Sequence, residues 1–72
     1  MSQDVLMQLG RRVRDIRKLQ GISQEKLAYK INLDRTYLSG IERGIRNPTV
    51  KTLQIIASGL GVTLSELLKG IK

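Results

Sequence analysis

Four times along this chain a helix-capping residue stands between two apolar residues five positions apart. Ser23 lies between Ile22 and Leu27, Asp34 between Leu33 and Leu38, Thr49 between Pro48 and Leu53, and Thr63 between Val62 and Leu67. A Ser, Thr or Asp in this place accepts a backbone N–H that the first helical turn leaves without a partner. The flanking apolar pair forms a hydrophobic staple, which fixes the angle at which the chain enters the helix. Thr63 also has Glu66 three residues on, the spacing of a capping box. Upstream, Leu6, Leu9, Val13 and Ile16 recur at spacings of three and four and so share one helical stripe. Gly21, after Gln20, supplies a left-handed stop for that first helix. The predicted helices cover residues 4–20, 24–31, 35–43, 50–59 and 64–69. There is no strand pattern, low-complexity segment or internal linker. Residues 1–72 are therefore expected to form one domain, an all-α, compact five-helix fold.

Composition narrows what such a domain does. A core of this size is marginal, so dimerisation would help its stability. No apolar run is long enough to span a membrane, and no signal peptide precedes the first helix. The chain has no Cys and no His, which removes disulfides, thiolate metal sites, the usual general base and the commonest metal ligand. No nucleophile–base pair or paired-carboxylate constellation can be assembled, so no enzyme is expected. The natural class is a cytoplasmic, cofactor-free binding module. Its net charge of +7 predicts a polyanionic partner, nucleic acid before membrane. Read by itself, the charge is also compatible with solubility alone.

The most informative stretch is residues 24–41, QEKLAYKINLDRTYLSGI. Two short helices are joined by a tight turn, with apolar residues inward and Arg, Thr, Tyr and Ser outward. This is the layout of a helix-turn-helix, whose second helix lies in the major groove of DNA. A steep crossing needs one residue with positive φ and one small residue where the backbones approach. Asn32 tolerates positive φ better than any residue but Gly, and Ala28 is the small one. Leu27, Ile31, Leu33, Leu38 and Ile41 would pack between the helices and the rest of the core.

Residues 9–68, LGRRVRDIRKLQGISQEKLAYKINLDRTYLSGIERGIRNPTVKTLQIIASGLGVTLSELL, resemble the phage-repressor-like helix-turn-helix proteins, the group of lambda-type repressors and Cro. The words GISQEKLA, YLSGIERGIRNPT and LGVTLSELL carry the resemblance. The chain departs from the pattern at Asn32, where the family usually has Gly. Within the family, NLDRTYLSGIERGIRNPT looks most like the controller proteins of restriction–modification systems. The resemblance implies a phosphate contact, or support of a neighbouring reader residue, for Gln24. It also implies an ion pair between Arg17 and Glu42 that holds the first helix to the third without touching DNA.

Arg35, Thr36 and Ser39 fall on the first turns of the third helix, away from Leu38 and Ile41. Arg can grip O6 and N7 of guanine with two bonds, and Thr can offer its methyl to thymine. Tyr37 is either partly core or laid against sugar and thymine methyls. Arg43 ends the helix, where a cation suits the dipole with or without DNA. Asp34 reads as the N-cap, since a carboxylate repels phosphate. Arg46 and Asn47 sit in the loop leading to the fourth helix, whose free N–H groups at Val50 and Lys51 can hold a phosphate. Lys26, Arg35 and Lys51 all fall in first turns, where a cation opposes the dipole and an arriving phosphate would relieve the conflict. Arg11, Arg12, Arg14 and Lys18 read mainly as a solvated face.

Leu53, Ile56, Ala57 and Leu60 form a core stripe, whereas Leu64, Leu67, Leu68 and Ile71 exceed what one short helix can bury. The remainder marks either a cap on the core or a self-association surface. The expectation is a homodimeric, sequence-specific transcriptional regulator that binds double-stranded DNA at a (pseudo)palindromic operator. It would bind no small-molecule ligand and would be encoded by a prokaryote or a phage. Two other readings of the chain are the antitoxin half of a toxin–antitoxin pair and a non-specific binder that uses only its charge.

Overall fold

The computed structural model describes residues 3–72. Its helices are α1 (Gln3–Leu19), α2 (Gln24–Lys30), α3 (Arg35–Glu42), α4 (Val50–Gly59) and α5 (Leu64–Leu67), and there are no strands among the described residues. Ser23, Asp34, Thr49 and Thr63 are the N-caps of α2 to α5, and each side chain accepts the backbone N–H three residues on. Thr63 and Glu66 complete the capping box, with the Thr63 N–H donating to Glu66 Oε1 at 3.1 Å.

The helix ends show how the turns are made. Gly21, Asn32, Gly44 and Gly61 have φ of 67°, 54°, 77° and 70°. In each case the next residue's N–H reaches back to the last turn: Ile22 to Arg17 O, Leu33 to Ala28 O, Ile45 to Gly40 O and Val62 to Ala57 O, at 2.9–3.2 Å. This is the Schellman closure, which satisfies carbonyls that the helix end leaves open. At Ile22, Leu33 and Val62 the apolar residue that closes one helix also staples the start of the next. One left-handed residue, one apolar residue and one cap therefore make the whole connection. The C-cap N–H groups of Ile31 and Arg43 still reach Leu27 O and Ser39 O, but those of the left-handed Asn32 and Gly44 fall back to Tyr29 O and Ile41 O, so α2 and α3 stop at Lys30 and Glu42, one residue before the expected ends. α5 stops at Leu67, two residues early, and the chain beyond it is held by Lys69 N–H to Glu66 O and Ile71 N–H to Leu68 O.

The core is built from Leu9, Val13, Leu27, Leu38, Ile41, Ile56 and Leu67, all at most 1% exposed. α3 packs on α1 and α2, while α5 packs on α4 and α1. The approach of α1 to α3 is set by Gly10. A Cβ there would collide with the carbonyl oxygens of Ile41 and Glu42, so the two backbones touch. One expectation is corrected here: Leu67 is fully buried within the protomer, so it is a core residue and presents no surface to a second copy. Leu64, Leu68 and Ile71 are half-buried and retain accessible area.

Candidate nucleic-acid interface

α2, its turn and α3 form a helix-turn-helix. Asn32 takes the left-handed conformation, and Ala28, 3% exposed, lies buried beneath the turn. The inward side of α3 is anchored by Leu38 and Ile41, both fully buried, which fixes the rotation of the helix. Arg35 and Thr36 consequently stand exposed in its first turn. Ser39 is half-buried on the following turn, and Arg43 is the exposed C-cap. Tyr37 packs against the core, which bears out the partly-core reading, and keeps some accessible area.

Arg35 has a partner: its Nη1 lies 3.3 Å from Glu25 Oε2, with both side chains largely in solvent. Glu25 belongs to the first turn of α2, which amends the reading of that helix. The charge of Lys26 beside the dipole is already answered by Glu25. The first turns of α3 and α4 hold no acidic residue and do carry Arg35 and Lys51. At α3 the Asp34 cap carboxylate and the Glu25 partner of Arg35 answer the cation, so the conflict between cation and dipole stands only at α4, where the cap is the neutral Thr49.

Gln24 is engaged as well. Its amide donates to Glu42 Oε1 at 2.9 Å. Glu42 also receives the fork of Arg17, Nε to Oε2 at 2.8 Å and Nη2 to Oε1 at 3.0 Å, while Arg17 Nη1 donates to Ile22 O at 2.8 Å. The pair links α1 to α3, and Gln24 ties α2 to it. Both charged residues are 9% exposed. The hydrogen bond to Glu42 raises the Arg17 pKa above its ordinary value, so the guanidinium stays charged although burial opposes it.

In the loop, Arg46 and Asn47 are exposed. The aliphatic stem of Arg46 lies over Gly40, where a Cβ would meet Arg46 Cγ at 2.5 Å. Gly40 thus lets Arg46 run alongside α3. Thr49 Oγ1 takes the Thr52 N–H at 3.1 Å. Helix geometry leaves the N–H groups of Val50 and Lys51 without partners inside α4.

Two features were not legible in the sequence. Arg12 is structural: its Nε donates to Leu67 O at 3.2 Å and its Nη2 to Glu66 O, so a cation from α1 caps the end of α5. An apolar groove of about 500 Å³ lies between the start of α1, the start of α4 and the end of the chain, lined by Val5, Pro48, Val50, Leu53, Leu68 and Ile71. Val50, 68% exposed, stands at its edge. Among the described residues no three carboxylates gather into a metal-binding group, and no helix is long and apolar enough to cross a membrane.

Comparison with known proteins agrees with this geometry. The model of the family described as Helix-turn-helix matches residues 13–67. The control protein C.MunI of a Mycoplasma species is 44% identical over 70 residues, covering 96% of this chain and 95% of that protein. The crystal structure of the restriction–modification controller protein C.AhdI from Aeromonas hydrophila superposes with a TM-score of 0.84 at 40% identity, covering 86% of this chain and 94% of that one. The controller protein C.Esp1396I, solved as a tetramer in complex with its natural 35 base-pair operator, has a TM-score of 0.78 at 45% identity. The match covers 90% of this chain and 96% of that one.

Proposed function

We proceed from the fact that the chain belongs to the helix-turn-helix family that residues 13–67 match, and we propose that it is a sequence-specific, double-stranded-DNA-binding transcriptional regulator. One observation carries the proposal. α3 buries one face in the core and presents Arg35, Thr36, Ser39 and part of Tyr37 on the other, in a domain with a net charge of +7. Arg35 reads guanine by exchanging its exposed contact with Glu25 for two bonds to a base edge. That exchange is cheap, because an exposed pair is worth only about 0.2–1 kcal/mol. Thr36 and Tyr37 meet thymine methyls and sugar. Gln24, Ser39, Arg43, Arg46, Asn47 and Lys51 serve the backbone, with a phosphate at the open N–H groups of α4.

The regulator acts as a homodimer, since one domain covers too few base pairs to define an operator. Leu64, Leu68 and Ile71 supply its interface, continued by the groove at Val50. The regulated genes are those of a restriction–modification system, a reading supported by the likeness to C.MunI and C.AhdI. The protein works in the cytoplasm without a cofactor, small-molecule ligand or catalytic step. A gel shift with genomic fragments at rising salt tests the reading. A specific band must outlast the non-specific ones, and loss of all bands together would reduce the chain to a binder by charge alone.

A further inference from the structure

The basic residues of α1 divide by what they touch. Arg17 is committed to Glu42, and Arg12 caps α5. Arg11, Arg14 and Lys18 remain exposed at positions i, i+3 and i+7, on one face of the helix. Like charges at this spacing repel and weaken a helix. The ion pairs among the described residues are Arg17–Glu42 and Arg35–Glu25, so neither Arg14 nor Lys18 is neutralised by a carboxylate, and neither is Arg43 across from them. These three cations line one cleft of about 260 Å³ between α1 and α3, above the buried Arg17–Glu42 pair. Its remaining walls are Gln24 and Ser39, one from each helix of the helix-turn-helix. The Glu42 carboxylate at its base is already matched by Arg17 and Gln24, so the cleft keeps a net positive charge. A second hollow shares Arg14 and Arg43 and extends the basic trough to Arg11.

We propose that Arg14, Lys18 and Arg43 form a seat for a backbone phosphate of the same duplex that α3 reads. The proposal rests on the DNA-binding reading above and adds α1 to the interface. A duplex laid on Gln24 and Ser39 brings its sugar–phosphate edge over this cleft. The phosphate relieves the repulsion along α1 and bridges it to the end of α3. The seat sets register and affinity and carries no base information.

The test is the salt dependence of operator binding, measured for the wild-type chain, the double variant Arg14→Gln/Lys18→Gln, and Lys30→Gln as a surface-charge control outside the cleft. Thermal melts confirm that all three are folded. The double variant is expected to shrink the log–log salt slope by about 0.9 for each bound protomer, one neutralised phosphate apiece, with the order of preferred sequences unchanged. Lys30→Gln should leave the slope in place. An unchanged slope in the double variant, with wild-type binding intact, overturns the seat and leaves this face to solvent or to an acidic protein surface. A wild-type chain that binds no duplex overturns the functional reading and the seat together.

Discussion

Glu42→Ala removes the acceptor on which three helices converge. In the variant Arg17, 9% exposed, keeps only its bond to the Ile22 carbonyl, and Gln24 loses its partner. Breaking a buried pair costs about 3–5 kcal/mol, because the remaining charge stays out of water without compensation. The slight accessibility of both partners places the expected cost at the lower end, about 3 kcal/mol. Domains hold roughly 0.05–0.15 kcal/mol per residue, so a 72-residue chain has about 4–11 kcal/mol in all. At about 2.1 cal/mol/K per residue its unfolding entropy is about 150 cal/mol/K, and the loss lowers Tm by about 20 °C. Calorimetry or circular dichroism melts read this directly. Glu42→Gln, which keeps an acceptor, should fall between wild type and Ala. The double change Arg17→Met/Glu42→Leu should recover much of the loss, because both buried charges leave together. A Glu42→Ala protein melting within about 3 °C of wild type would show that the pair is not effectively buried, since 0.5 kcal/mol is the scale of an ordinary surface change.

Three further outcomes are expected. Gly10→Ala gains about 1 kcal/mol of helix propensity yet should destabilise on balance, by about 1–3 kcal/mol, because its methyl meets the α3 backbone; urea titration decides the sign. The Thr63 backbone N–H holds the Glu66 carboxyl below its usual range. The stabilisation is therefore present above the unfolded carboxyl pKa and lost as pH falls through the folded one. Glu66→Gln should flatten that part of the acid limb in melts run against pH, and an unchanged limb would contradict it. Leu68→Glu should shift the protein toward monomer and weaken operator binding while leaving the domain folded, as read by analytical ultracentrifugation beside circular dichroism. A variant that stays dimeric would move the interface elsewhere, and one that unfolds would make Leu68 a core residue.

The helix starts were the most legible part of the chain, because caps and staples are local chemistry. Ser23, Asp34, Thr49 and Thr63 name both the first residue and the entry angle, and the positive φ of Asn32 follows from its backbone tolerance alone. Contacts between residues far apart in sequence were less legible. Arg12 and Arg17 lie five residues apart in one basic run. The resemblance already paired Arg17 with Glu42, but only the fold takes Arg12 out of the expected solvated face and sends it to the end of α5. Leu67 was grouped with Leu64 and Leu68 by hydrophobicity, which does not say what buries a residue, although its staple with Val62 already tied it to its own domain. Gly10 gave no sign of its role, because a helix-interior glycine is informative only once the facing backbone is known. The contact of Glu25 with Arg35 joins the first turns of two helices, and it became visible only with their crossing in place.

Base reading by α3 is decided by selecting binding sites from random duplex DNA. The wild-type chain should enrich two inverted half-sites whose centres lie about 34–36 Å apart, one helical turn or a multiple of it. Arg35→Ala run in parallel should lose about 1–3 kcal/mol at the selected site and relax preference at one base position in each half. An Arg35→Ala protein that recovers the same motif with equal discrimination, or a wild-type chain that enriches none at a salt concentration where it still binds, would show that α3 does not read bases in this way.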